Sequence, residues 1–161
     1  MTTNNELSVS RLIKAPRSAV WQAWANPENF KQWWIPAPLA CRIEKMDLKP
    51  GGGFETLMSE NGGEFKPHLE GCFLDIAPQE KIIFTTALKG NWIPAEPWLT
   101  LTSIITMEDE GSGTRYIARA IHKNSEDSRK HEEMGFEEGW GSTIDQLAKL
   151  AEKLLSDQPE N

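Results

Sequence analysis

The sequence predicts an α+β fold in which a curved antiparallel sheet wraps around a long C-terminal helix, with two short helices between the first and second strands. Three observations carry this expectation. Phe136, Trp140, Thr143, Ile144, Leu147, Leu150, Ala151 and Leu154 recur at spacings of three and four residues, which places one apolar stripe on a long helix. Between Leu39 and His122 the chain runs through several stretches of period two separated by tight-turn sequences, as consecutive antiparallel strands do. A sheet and a helix that each carry one apolar face bury those faces against one another.

Leu7, Val9, Arg11 and Ile13 alternate with Ser8, Ser10, Leu12 and Lys14 in a first strand that stops before Pro16. Pro16 opens a short helix with Val20, Trp21, Ala23 and Trp24 on its apolar side. Asn26-Pro27-Glu28 then supplies an N-cap, a proline at the first helical position and an acid in the first turn of a second short helix carrying Phe30, Trp33 and Trp34. The prolines at 36 and 38 end it. Strands follow over roughly 40–48, 53–59, 65–76, 80–88, 99–108 and 113–122, punctuated by Pro50-Gly51-Gly52-Gly53, Asn61-Gly62-Gly63, Pro78-Gln79-Glu80 and Gly111-Ser112-Gly113. Lys89 to Pro97 is too broken for a strand and reads as a longer loop flanking a pocket entrance. Asn124 and Ser125 cap one final helix running to about Leu155, and 156–161 reads as a frayed tail. Gly135, Gly139 and Gly141 interrupt that helix. A helix-interior glycine costs about 1 kcal/mol relative to alanine, so three in seven residues imply that a strand or a ligand needs space beside the backbone.

The chain has 161 residues, the size of one domain, and a net charge of -7 that leaves no basic excess for phosphates or anionic membranes. No stretch approaches the roughly 18 apolar residues of a spanning helix, and no basic start precedes an apolar run, so a soluble cytoplasmic protein is expected. Cys41 and Cys72 stand without CxxC spacing, and His68, His122 and His131 are far apart in sequence, so neither metal nor cofactor is indicated and each histidine reads as an isolated residue. Seven tryptophans against one tyrosine supply wide apolar faces suited to a core or to a pocket for an aromatic ligand.

Lys14-Ala15-Pro16-Arg17 leading to Val20-Trp21, then Trp33-Trp34, Asp47 through Gly52, Gly71, Pro78 through Thr85, Gly113-Thr114-Arg115 and Gly135 through Trp140 occur in an order that resembles a known family. It looks like the single-domain homologues of the activators of the 90-kDa heat-shock protein ATPase, within the START-like (SRPBCC) superfamily. The resemblance covers about residues 7–155 and implies that 1–161 is a single START-like domain. It further implies a helix-grip fold with a hydrophobic cavity between sheet and long helix.

Trp33, Trp34, Phe54, Phe84, Trp98, Met134, Phe136, Gly139 and Trp140 are the expected ligand-lining residues, because apolar pockets are built of such side chains. No nucleophile-elbow sequence is present, and Gly51-Gly52-Gly53 enters a strand without the lysine of a phosphate loop. His68 and Glu70 share a strand face with Cys72, Leu74 and Ile76, while Tyr116 and His122 share one with Ala118 and Ala120. These four are the acid–base candidates if their faces point inward. The resulting expectation is a non-enzymatic binder of a small hydrophobic or aromatic molecule, monomeric or homodimeric, with a part in stress response. The alternatives are a co-chaperone acting through its surface, including the acidic Glu126, Asp127, Glu132, Glu133, Glu137 and Glu138, and a cyclase- or hydrolase-like enzyme using the same cavity.

Overall fold

Pro16 and Asn26-Pro27 start the first two helices where the sequence places them, but the second ends at Phe30 rather than at the prolines, so Trp33 and Trp34 lie in the turn after it. Asn26 Oδ1 accepts the Glu28 backbone N–H at 2.9 Å, with Pro27 at the first helical position. The computed structural model describes residues 5–157. Strand β1 (Glu6–Ile13) leads into helices α1 (Arg17–Ala25) and α2 (Pro27–Phe30), then strands β2 (Ala40–Met46), β3 (Gly53–Ser59), β4 (Lys66–Ala77) and β5 (Lys81–Thr85). A small pair, β6 (Leu88–Lys89) and β7 (Ile93–Pro94), precedes β8 (Leu101–Glu110), β9 (Gly113–His122) and helices α3 (Ser125–Glu133) and α4 (Phe136–Asp157).

Seven strands form one sheet in the order β1-β9-β8-β5-β4-β3-β2, with every neighbouring pair antiparallel. Because β1 and β2 lie at opposite edges, α1 and α2 carry the chain from one edge to the other. Helix α4 packs against α1 and β1. Its inner face buries Phe136, Ile144, Leu147 and Ala151, with Trp140, Leu150 and Leu154 half-buried, as the spacing predicts. Trp24, Phe30, Trp33, Phe54 and Phe73 form an aromatic core, with Phe54 stacked on Phe73 at 4.5 Å between centroids. Each such ring buries about 150–250 Å², so this cluster dominates the apolar burial at one end of the sheet.

Four further expectations are corrected. The terminal helix is two helices: Asn124 Oδ1 caps α3 by accepting from the Asp127 N–H at 2.8 Å, and the chain turns at Met134–Gly135, where Gly135 has φ +93°. That left-handed conformation suits glycine and ends α3. Segment 89–97 contains the β6–β7 hairpin, whose Asn91 and Trp92 have φ of 68° and 62°; the Asn91 N–H bonds to the Gly51 carbonyl at 2.8 Å, tying the hairpin to the turn before β3. Strand β5 ends at Thr85 rather than 88. Finally, β4 is bulged twice, since its register shifts between Thr56 and Leu57 opposite and again between Phe73 and Asp75. Each extra residue reverses the alternation, so His68, Glu70, Cys72, Leu74 and Ile76 do not share one face. Of the expected tail, Ser156 and Asp157 continue α4 and 158–161 lie outside the described residues. No described helix is long and apolar enough to cross a membrane.

Candidate functional site

The sheet's concave side and α4 do not meet everywhere. Between them lies a cavity of about 510 Å³. Its inner wall combines Trp24 and Trp33 from the helical plug with Phe84, Leu101, Ile105, Tyr116 and Ala118 from the central strands. Gly139, Trp140, Thr143 and Ile144 of α4 form the opposite wall. Exposed lining residues mark the mouth: Pro67 and Glu70 on β4, and Glu96 and Trp98 after β7, with Trp98 67% exposed. The mouth follows from unequal strand lengths. Residues 72–77 of β4 pair with β5, whereas its first half projects past that strand, where Pro67 breaks no ladder on the unpaired side.

The three glycines have three separate causes. Gly135 makes the turn between α3 and α4. A Cβ at Gly141 would sit 2.8 Å from Arg11 Nη2, so this glycine lets the guanidinium of β1 lie against the helix, where it also pairs with Asp145 at 3.0 Å. A Cβ at Gly139 would meet nothing within 4 Å, and Gly139 borders the cavity. Of the three, Gly139 alone borders the cavity.

Of the expected lining set, Trp33, Trp34, Phe84, Trp98, Gly139 and Trp140 border the cavity and three residues do not. Phe54 lies behind Trp34 at 5.2 Å and is fully buried in the aromatic core. Phe136 packs against the rings of Trp140 at 4.7 Å and His131 at 5.0 Å, supporting the wall from behind. Met134 is the C-cap of α3 and is 55% exposed, because the turn at Gly135 takes it off the α4 stripe. Among the acid–base candidates, His68, Glu70 and Tyr116 border the cavity, while His122 is buried beneath His131.

Several polar lining groups are held by hydrogen bonds within the wall. Trp34 Nε1 donates to Thr56 Oγ1 at 3.2 Å, and that hydroxyl contacts His68 Nδ1 at 3.0 Å. Burial lowers the His68 pKa from its usual value. Trp24 Nε1 donates to Tyr116 Oη at 2.8 Å, so the phenol accepts from the core. Complete burial pushes the Tyr116 pKa up and keeps it a neutral phenol. Gln146 on α4 staples the Trp34 segment to the helix: its Nε2 donates to the carbonyls of Trp33 and Ile35 at 3.1 and 3.0 Å, and its Oε1 accepts from the Ala37 N–H at 2.8 Å. At the mouth, Lys130 Nζ lies 5.9 Å from the centre of the Trp98 ring.

Sequence reasoning missed Trp24, whose helical spacing reads equally well as plain core, and His131. His122 and His131 are not isolated, as the sequence suggested: His122 Nε2 and His131 Nδ1 are 2.9 Å apart. Nothing in a spacing of nine residues signals this, because β9 and α3 bring the rings together only in the folded chain. No group of three or more metal-ligating side chains occurs among the described residues.

A sheet gripping a C-terminal helix across a cavity defines a START-like helix-grip protein. The chain belongs to the family described as activator of Hsp90 ATPase homolog 1-like protein, whose pattern matches residues 14–152. Among solved structures, protein NE0264 from Nitrosomonas europaea is 38% identical, with a TM-score of 0.85 over 97% of this chain and 99% of that one. Protein Ms6760 from Mycobacterium smegmatis is 22% identical, with a TM-score of 0.76 over 97% and 93% of the two chains. A protein from Arthrobacter aurescens is 21% identical, with a TM-score of 0.79 over 92% and 87%. The last two likenesses speak to fold alone. No curated protein matches the chain.

Proposed function

We propose that this protein binds a small hydrophobic or aromatic molecule, without transforming it, in the cavity between the sheet and α4. The observation that carries the reading is the unfilled, tryptophan-rich space of about 510 Å³, within the roughly 300–1,000 Å³ typical of ligand sites. Trp33, Trp34, Phe84, Trp98, Gly139 and Trp140 are the proposed contacts, joined by Trp24 and Tyr116. Apolar burial supplies the affinity, and the few held polar groups fix orientation. The Thr86 hydroxyl on the wall already donates to the Leu99 carbonyl at 2.9 Å, which favours binding over nucleophilic attack.

Native mass spectrometry of freshly purified protein, followed by tryptophan quenching with lipids, flavonoids and aromatic polyketides, tests this. A co-purifying small molecule or saturable quenching is expected. Absence of both across the panel overturns the reading.

The family's description favours a second reading, a surface partner of the 90-kDa heat-shock chaperone. It requires stimulation of the chaperone ATPase that survives filling of the cavity and is lost on charge reversal at Glu132, Glu133, Glu137 and Glu138, all exposed on α3 and α4.

A further inference from the structure

We propose that His131 Nε2 is the polar anchor of the cavity, and that the ligand is a neutral aromatic or enolic hydroxyl compound donating its O–H to that nitrogen. This rests on the ligand-binding reading above and adds the chemical class of the ligand.

The argument runs through hydrogen-bond direction. The Asn5 backbone carbonyl can only accept, and His122 Nδ1 lies 3.0 Å from it, so His122 carries its proton on Nδ1. Neither ring has a carboxylate partner among the described residues and both are buried, so we assign each ring a single proton. With its proton on Nδ1, His122 presents a lone pair at Nε2. His131 Nδ1, 2.9 Å away, must therefore be the donor. That choice leaves His131 with an unprotonated Nε2, which has no hydrogen-bond partner among the described residues, on a ring that borders the cavity. Burial and the neighbouring His122 push the His131 pKa down to about 4, which keeps the lone pair available.

One backbone carbonyl thus sets the polarity of two rings and fixes an acceptor in the cavity wall. An acceptor in an apolar wall favours a ligand that brings a donor, since an unmatched polar group there is costly. Phenols and enols donate strongly and offer a flat apolar body to Trp34 and Trp140. A carboxylate has only lone pairs to present and meets repulsion.

The test uses calorimetric titration with 4-phenylphenol and its methyl ether, 4-methoxybiphenyl. The methyl group by itself favours burial, so tighter binding of the free phenol reads the hydrogen bond. The phenol is expected to bind about five- to tenfold more tightly. His131→Asn places an amide N–H near the former Nδ1, retaining the bond to His122 while removing Nε2, and should abolish the preference. His131→Gln places an amide oxygen near the Nε2 position and should retain part of it. Thermal melts confirm that each variant is folded, and the wild-type comparison stands without them. Equal binding of the two probes to the wild type, or a preference unchanged in His131→Asn, overturns the anchor while leaving the cavity reading intact. Binding of neither probe overturns both.

Discussion

Replacing Gly139 separates the stability of α4 from the volume beside it. A Cβ at this position meets no atom within 4 Å, and the residue is in a helix interior without a positive φ, so alanine adds helix propensity and no strain. Gly139→Ala should stabilise the protein by about 0.8–1 kcal/mol. For a chain of this size that raises Tm by about 2–4 °C. Gly139→Leu keeps most of that gain while projecting an isobutyl group into the cavity, so it should bind 4-phenylphenol at least tenfold more weakly without any loss of Tm. The other two glycines provide the internal controls. Gly135→Ala forces an L-residue to φ +93° and should destabilise by about 1–2 kcal/mol. Gly141→Ala displaces the Arg11 guanidinium from its exposed pairing with Asp145, worth at most about 1 kcal/mol, and this offsets the propensity gain to leave a change near zero. Urea denaturation of the four variants measures the order. A destabilised Gly139→Ala, or a Gly139→Leu variant that binds the probe as the wild type does, would falsify the assignment of this glycine to empty cavity space.

Tyr116→Phe leaves the Trp24 indole N–H buried without its acceptor and should cost about 1–3 kcal/mol in urea denaturation; a neutral result means that bond is not formed in solution. The His131 ring should titrate by NMR near pH 4 rather than near 6.5. Because its folded pKa lies below the unfolded value, the unfolded chain binds more protons between those limits, so stability falls as pH drops from about 6.5 towards 4. His68 adds to the same slope with the same sign, and His131→Asn should remove only part of it; an unchanged slope refutes the buried-neutral description of His131. Burial pushes the Cys41 thiol up to about 11 and leaves Cys72 with no exposed surface, so both should react slowly with a thiol reagent at pH 8 and rapidly after unfolding; one fast thiol in the native protein contradicts this.

The fold was legible because its signals are local. Spacings of three and four over 136–154 require a helix whatever it packs on, and the cap sequences at Asn26 and Asn124 act on backbone N–H groups two or three residues away. The misread features depend on partners distant in sequence. The bulges of β4 are set by the register against β3 and β5, so the parity of His68 and Leu74 cannot be read from period two alone. The break at Gly135 was visible as a glycine but not as a turn, because helix-interior and helix-ending glycines look alike until φ is known.

The same distinction governs the site. Aromatic residues were found in bulk because any large apolar side chain on an inward face has a good chance of reaching either core or cavity, and the sequence does not separate those two fates: Phe54 and Phe84 both belong to inward-facing stretches, yet only Phe84 reaches the space. What decides is the order of layers. Phe54 is stacked on Phe73 and covered by Trp34, whereas Phe84 borders the cavity, edge-on to Trp34 at 6.1 Å. Polar specificity is more hidden still. The direction of a hydrogen-bond chain from Asn5 through His122 to His131 is a property of three residues from three segments, one of them a backbone carbonyl that carries no side-chain code. If the chain's polarity does set what the cavity accepts, substitutions at His122 that never touch a ligand should still change which ligands bind. His122→Phe frees His131 to take either tautomer, and the preference for a hydroxyl over its methyl ether should shrink without vanishing, an intermediate result that neither a purely apolar cavity nor direct contact with His122 would give.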